Sequence, residues 1–473
     1  MCIILFNGQS HFSARATTTL ILIASLTVQM TCMTTLSEYS SEMGGVHAFV
    51  PKAAVVSSRQ RRIRVGYSVV GSSLGAITRQ KPQRLEENVE GVLYVNDRCI
   101  NCAACAQFAP TVFDRSPANT NAPFHRVYHQ PSSESDVEQA RAALSACPVA
   151  AIRVENSAAL SHAGHSKLSP ADEALAKQLA IRQPPTNNRL LKQPSSSSPL
   201  PLFPRPVLDH LQHVYFLGHH NEASFGATPY LVRGSGTNNN DSNHHPEVLW
   251  VMVDVPKFSA SSVKAVTSLT GPNGPSFLFL THVDDTADHQ KWKDAFPSLQ
   301  RIFHSGDLGP YNWLHDETLE DVEVLLCNNN NNNNSINNKD SVPSNNHKPM
   351  MAWNLQGDVL CLPEDVEKEE FVIWATPGHS PGSIALLYRP EKVLFTGDTY
   401  AYSTRDGGGM SGFPRYGNDL PLQSRTLNTM LQHADQWDII APGHGHIRDY
   451  SSTPEKQTMK ESEMKHAIQT LVK

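Results

Sequence analysis

The stretch Phe277-Leu278-Phe279-Leu280-Thr281-His282-Val283-Asp284-Asp285-Thr286-Ala287-Asp288-His289 decides how this chain is read. Four apolar residues in a row, two of them aromatic, predict a buried strand. Five potential metal ligands crowd the segment that follows it. Residues two apart in an extended segment face the same side, so His282 and Asp284 can share one ion. Asp288 and His289 open the next helix and can reach a second.

Working outward, three more candidates sit in loops after apolar, β-like runs. They are His379 in Thr376-Pro377-Gly378-His379, Asp398 in Phe395-Thr396-Gly397-Asp398, and His444 in Ala441-Pro442-Gly443-His444-Gly445. A glycine beside each allows a tight backbone turn. Strand-like runs at 214–217, 230–232, 248–253, 277–280, 371–375, 384–388, 393–396 and 438–441 predict a large α/β domain over residues 207–473. The Asn-rich stretch at 328–348 can bury almost nothing and is read as a disordered surface insertion.

Upstream, Cys99, Cys102 and Cys105 are spaced by two residues each, and Cys147 is followed by Pro148. Three thiolates on a short loop can converge on one cubane while a distant Cys-Pro supplies the fourth ligand. One 4Fe-4S cluster is expected. Structural zinc more often pairs two CxxC units or Cys with His, and does not need a third Cys at this spacing. Cysteines so close on one loop do not meet disulfide geometry pairwise. Of the remaining cysteines, Cys2 and Cys32 fall in the N-terminal stretch, and Cys327 and Cys361 are read as buried thiols.

The segment Cys99-Ile100-Asn101-Cys102-Ala103-Ala104-Cys105, with Ser145-Ala146-Cys147-Pro148, resembles a single-cluster bacterial-type ferredoxin; it places an α+β ferredoxin-like domain at 88–156. The ordered His and Asp segments resemble the metallo-β-lactamase superfamily, in particular its glyoxalase II-like and flavodiiron branches. That resemblance implies an αββα four-layer sandwich. It also implies that His282, Asp284 and His379 hold one divalent metal, Asp288, His289 and His444 a second, and that Asp398 bridges them. Zinc and iron are the candidate metals. The family loop reads HxHxDH, whereas here a carboxylate replaces the second His and two extra residues precede Asp288-His289. The choice between Asp284 and Asp285 therefore stays open, Asp285 being also a candidate helix cap. Asp254 is similar to the family's structural Asp near the site.

At 473 residues the chain exceeds one ordinary domain, and its net charge of −6 without a clustered basic face in the body argues against nucleic-acid binding. Residues 157–206, rich in Ser, Pro and Asn, read as a disordered linker with at most one short helix near 171–181. Residues 1–85 read as a targeting presequence. An apolar run at 20–28 is too short to span a bilayer, and residues 49–84 are basic without one Asp or Glu. This combination resembles bipartite presequences of algae with secondary plastids and implies the plastid stroma, with no stable membrane span in the mature chain.

The expected reaction is hydrolysis of an ester or thioester bond of a small molecule, with Asp288 orienting the attacking water as the matching Asp of the family does. The alternative is an oxidoreductase in which the cluster, fed by a redox partner, passes electrons to a dinuclear iron site. A site whose metals and cluster serve only structure or sensing is the third class.

Overall fold

The computed structural model describes residues 2–4, 81–116, 124–155, 168–180, 202–235, 248–327, 350–353, 359–360, 369–404 and 408–472. A short strand β1 (Cys2–Ile4) precedes the first domain. That domain begins with β2 (Leu93–Val95), followed by helix α1 (Ala104–Phe108), β3 (Phe113–Arg115), β4 (His125–Val127), α2 (Glu134–Ala146) and β5 (Ile152–Val154). β2 pairs antiparallel with β5, and β3 with β4, so the chain segments flanking the cysteines are tied together. Helix α2 starts at a capping box. Ser133 Oγ accepts from Asp136 N and Asp136 Oδ2 accepts from Ser133 N, both at 3.1 Å, an arrangement that stabilises a helix start by about 1 kcal/mol. Its inward face is almost all alanine, which lets α1 approach closely.

Helix α3 (Pro170–Ala180) falls inside the stretch expected to be linker. It buries Leu179 against the first domain's core, because the apolar positions of an otherwise polar segment repeat at helical spacing.

The second domain carries two sheets. The first contains β6 (Arg205–Pro206), β7 (Val214–Phe216), β8 (Tyr230–Gly234), β9 (Leu249–Val253), β10 (Phe277–Phe279), β11 (Gln300–His304) and β12 (Val324–Cys327) in spatial sequence, with β1 beyond β12. Strands β9 to β12 run parallel; α4 (Ala260–Thr270) connects β9 to β10 and α5 (His289–Ala295) connects β10 to β11, as parallel pairing requires. The second sheet is ordered β14 (Val359–Leu360), β13 (Met350–Trp353), β15 (Phe371–Ala375), β16 (Ile384–Tyr388), β17 (Val393–Gly397), β20 (Ile439–Pro442) and β21 (Arg448–Asp449). A small hairpin, β18 (Ala401–Ser403) with β19 (Gly409–Ser411), follows β17. Helices α6 (Leu420–Gln432) and α7 (Lys456–Leu471) complete the chain.

Three apolar clusters hold this together. The first joins inward residues of both sheets, such as Val253, Phe279, Phe371 and Phe395, and continues into the first domain. The second lies where Met252 and Leu278 of the first sheet meet Val266 of α4 and Trp292 of α5. The third gathers Val372 and Leu394 of the second sheet with Leu427 of α6 and Met464 of α7. The alternation follows from strand geometry, since successive side chains point to opposite faces. Phe108 of α1 packs edge-on against Phe203 and Phe216, with centroids 5.1 and 5.0 Å away, so the two domains share one core.

The N-terminal expectation meets one difference. β1 lies within the stretch set aside as presequence, yet pairs antiparallel with β12. An edge strand offers unpaired N–H and C=O groups that an extended segment can satisfy. Residues 5–80, with the apolar run and the basic stretch, lie outside the described residues, as do Cys32, Cys361 and the Asn-rich insertion.

Candidate metal centre and cluster loop

The loops expected to bear ligands follow strands of both sheets. His282 follows β10 and leads into a 3-10 turn at Val283–Asp285. His379 lies in the β15–β16 connection, Asp398 directly after β17 and His444 after β20. These loops converge. His282 Nε2 lies 3.8 Å from Asp284 Oδ2, and His379 Nε2 lies 3.6 Å from the same oxygen. Asp398 Oδ2 is 3.9 Å from His379 Nε2 and 3.7 Å from His444 Nε2. Ligand atoms of His282, His379 and Asp398 form one group within 4.8 Å of one another, and those of Asp285, Asp398 and His444 form a second.

Asp288 and His289 are not brought to these groups. Asp288 Oδ2 accepts from Asn221 Nδ2 at 3.0 Å and from the Phe258 backbone N–H at 2.9 Å, and its other oxygen pairs with Lys291. His289 is buried in a separate network: Arg301 Nη1 donates to Nδ1 at 3.2 Å, leaving Nε2 toward Thr318 Oγ1 at 3.0 Å and Asp316 Oδ2 at 3.3 Å. The physical reason is local. Residue Asp288 takes a left-handed conformation, φ 70°, at the start of α5, which turns the pair away. The 3-10 turn instead stacks residue i+3 over residue i, so Asp285 comes in beside His282. Asp285 makes no cap; both its oxygens are buried without a hydrogen-bond partner.

That orphaned carboxylate is the test of whether cations fit. Burial pushes the Asp285 carboxyl well above its usual range, and the nearby Asp398, Asp254 and Asp284 carboxylates push the same way. A buried anion without donors is costly unless a cation neutralises it. His282 Nε2, both ring nitrogens of His379 and Asp398 Oδ1 are likewise buried without hydrogen-bond partners. The donor set of three imidazoles and three carboxylates suits zinc or iron. At Gly443 a Cβ would lie 2.8 Å from Asp398 Oδ1 and 3.1 Å from Asp285 Oδ2, so this approach requires glycine.

Outer groups orient the inner ones. Thr281 donates both its backbone N–H (3.0 Å) and its hydroxyl (2.9 Å) to Asp254 Oδ1. The hydroxyl oxygen lies 3.0 Å from His282 Nδ1; with its own hydrogen given to Asp254 it accepts from Nδ1–H, leaving Nε2 as the free ligand atom. Burial pushes the Asp254 carboxyl up to about 7. Burial depresses His379, but the Asp284 and Asp398 carboxylates beside it raise it overall. Asp307, which the sequence reading passed over, ties two ligand loops together. It accepts from Val283 N at 2.9 Å and from Ser380 Oγ at 2.7 Å, next to His282 and His379 respectively, and from Gly382 N at 2.6 Å. No signal beyond its position after a strand marked it.

Four free thiols, Cys99, Cys102, Cys105 and Cys147, line one small cavity. Burial pushes the Cys102 thiol up to about 12 and Cys105 well above its usual value, so thiolates here need a cationic partner beside them. Backbone N–H groups of Asn101 and Ala151 donate to the sulfurs of Cys99 (3.4 Å) and Cys147 (3.2 Å), contacts of the kind that tune cluster potentials. The four residues thus fit a cluster.

The two centres adjoin. A cavity of about 310 Å³ is lined by Ile100 to Ala103 on one side and by Asp284, His379, Asp398 and His444 on the other. Gly226 carries the contact: at φ 83° its Cβ would sit 2.6 Å from Cys102 Cβ. Two residues on, Thr228 N donates to the carbonyl of Gly443, next to His444. Tyr402 also lines this cavity, whereas Tyr400 is buried in the core beside it. His446 packs its ring edge-on against Tyr402 at 4.8 Å.

Parts of this chain are similar to known proteins. Residues 95–154 match the family model of the 4Fe-4S single cluster domain of Ferredoxin I. The hydroxyacylglutathione hydrolase GloC of Haemophilus influenzae is 33% identical over 97 residues, covering 20% of this chain and 42% of that protein. The chain thus matches about two fifths of that relative's length. Among solved structures, the archaeal metallo-β-lactamase superfamily protein ST1585 of Sulfolobus tokodaii is 15% identical and covers 54% of this chain and 85% of its own, at a TM-score of 0.30. The flavodiiron protein of Giardia intestinalis is 11% identical and covers 55% and 59%, at a TM-score of 0.33. The chain joins a single-cluster 4Fe-4S ferredoxin-type domain to a second domain that resembles the metallo-β-lactamase superfamily.

Proposed function

We propose that the second domain is a metal-dependent hydrolase of an ester or thioester bond, with two divalent ions held by His282, Asp284, Asp285, His379, Asp398 and His444. The observation that carries this reading is Asp285, a buried carboxylate with neither oxygen hydrogen-bonded, grouped with Asp398 and His444. The relationship to a hydroxyacylglutathione hydrolase supports the thioester class. The three apolar clusters support the αββα layering.

Ions held there would supply Lewis-acid polarisation of the scissile carbonyl and acidify a water. The chain's own residues do the rest. Asp398, common to both ligand groups, sets their spacing, and the Asp254–Thr281 pair holds His282 in one tautomer. Asp288 is engaged by Asn221 and Lys291, so it is assigned no part in orienting water. Anaerobically purified, metal-loaded protein should hydrolyse members of an ester and thioester panel, and Asp398→Ala should abolish turnover. Inactivity across the panel would sink the reading.

One observation favours a second reading, electron transfer from the cluster to two irons in this site. Cys102 lines the same cavity as His379 and His444, and a carboxylate-rich set suits iron. The electrons would come from a ferredoxin-type carrier protein. Reduction of the cluster with no spectral change at the second centre would rule it out.

The acid-free basic stretch before residue 85 supports import into a plastid stroma. A fluorescent fusion to residues 1–85 that stays in the cytosol would contradict that.

A further inference from the structure

Among the described residues, eight large apolar side chains stand exposed, and four of them line the single cavity above the candidate metal centre. They are Ile100, Phe225, Trp313 and Tyr416, at 40, 51, 48 and 57% exposure. Scattered exposed apolar residues need no explanation, whereas a cluster of them at a cavity mouth marks a binding surface. The Phe225 and Trp313 rings lie 5.9 Å apart with planes 34° from parallel, which makes a broad ledge. The cavity floor is His379, Asp398 and His444, and its volume of about 310 Å³ is that of a small-molecule site.

One side of this mouth belongs to the cluster loop. Asn101 and Ala103, which flank Cys102, have φ of 60° and 65°, a region non-glycine residues adopt only when their surroundings impose it. Ligation through Cys99, Cys102 and Cys105 would impose it, and Ile100 projects from that constrained turn into the cavity.

We infer that the ferredoxin-type domain forms part of the substrate pocket, and that Ile100, with Phe225 and Trp313, selects a substrate whose acyl group is aromatic or otherwise flat and apolar. The inference rests on the hydrolase reading for the bond cleaved, but not for the selectivity of the pocket. The ledge lies beside the ligands rather than over a distant surface, so an acyl group seated on it presents its carbonyl to the floor.

The test uses the full chain with its cluster and measures binding, not turnover, so that it stays separate from the hydrolysis panel. Two non-hydrolysable thioethers serve as probes, one S-benzyl and one S-ethyl, titrated by calorimetry. The wild type should bind the benzyl probe about tenfold more tightly, the scale on which apolar pockets discriminate. In Ile100→Ser and in Phe225→Ser that ratio should fall toward one, with cluster absorption and metal content unchanged. Equal affinities in the wild type, or a ratio unaltered in both variants, would overturn the inference. Failure to bind either thioether, together with an Ile100-dependent complex with a ferredoxin-type carrier protein, would overturn it too and make the mouth a docking surface.

Discussion

Trp313 donates its indole N–H to Asp284 Oδ1 at 2.6 Å. The other oxygen of that carboxylate faces both His282 and His379, so a residue standing half exposed at the pocket mouth fixes a candidate ligand deeper in the pocket. Burial pushes the Asp284 carboxyl up, but His379, His282 and the Trp313 indole beside it hold it below its usual range overall. Trp313→Phe keeps a ring on the ledge and removes the bond. Losing such an outer partner commonly costs about 10–100-fold in metal affinity, and competition with a chromophoric chelator should show a loss of that size. An unchanged affinity would mean that Asp284 needs no orienting partner.

Asp307 joins the His282 and His379 loops through three donors. Asp307→Ala leaves the Val283 and Gly382 N–H groups buried and unmatched, each at a cost of about 1–3 kcal/mol, while Ser380 Oγ keeps Ser383 Oγ as a partner. Denaturant unfolding should show a loss of about 2–4 kcal/mol overall, with metal content reduced. Asp307→Asn, which retains acceptor capacity on one oxygen, should lose less.

Asp285 and Asp288 lie three residues apart and are expected to differ sharply. Asp285→Asn should lower the number of divalent ions bound outside the cluster. Asp288→Ala should leave that number intact and cost only about 1–2 kcal/mol of stability, through the lost bonds to Asn221 and Phe258. Elemental analysis of both variants decides it. The reverse pattern would restore the assignment expected from the family loop.

Gly226 lets the second domain touch the cluster loop. Gly226→Ala would place a methyl 2.6 Å from Cys102 Cβ at a positive φ, so the loop or the domain contact must shift. The purified variant should retain less inorganic sulfide and a weaker visible cluster absorption than the wild type, while Gly271→Ala, whose Cβ meets nothing within 4 Å, should retain both.

Much of this was legible in the sequence. The strands at 371–375 and 384–388 could be read to the residue, because a buried strand's apolar run is bounded by its own turns. The cysteine spacing pointed to residues that line one cavity, and His379, Asp398 and His444 were marked by glycine-flanked loops after strands. Asp285 was harder: its inward position depends on three residues of 3-10 turn, which an extended reading of the loop misses. Asp288 and His289 were misled by the family spacing, which two additional residues had broken. Strand β11 went unread, since Gln300 and Arg301 dilute the apolar signal that tertiary packing restores. The meeting of Ile100 with the metal-centre pocket could not be read, because nothing local links residues more than a hundred positions apart.

The most direct measurement is the ratio of metal to inorganic sulfide in the anaerobically purified full chain, compared between wild type and Asp398→Ala. A 4Fe-4S cluster brings about four irons with about four sulfides. Divalent metal beyond that complement in the wild type, lost in Asp398→Ala while sulfide is retained, is the expected result. A metal-to-sulfide ratio near one in both proteins would contradict a second metal centre in this chain.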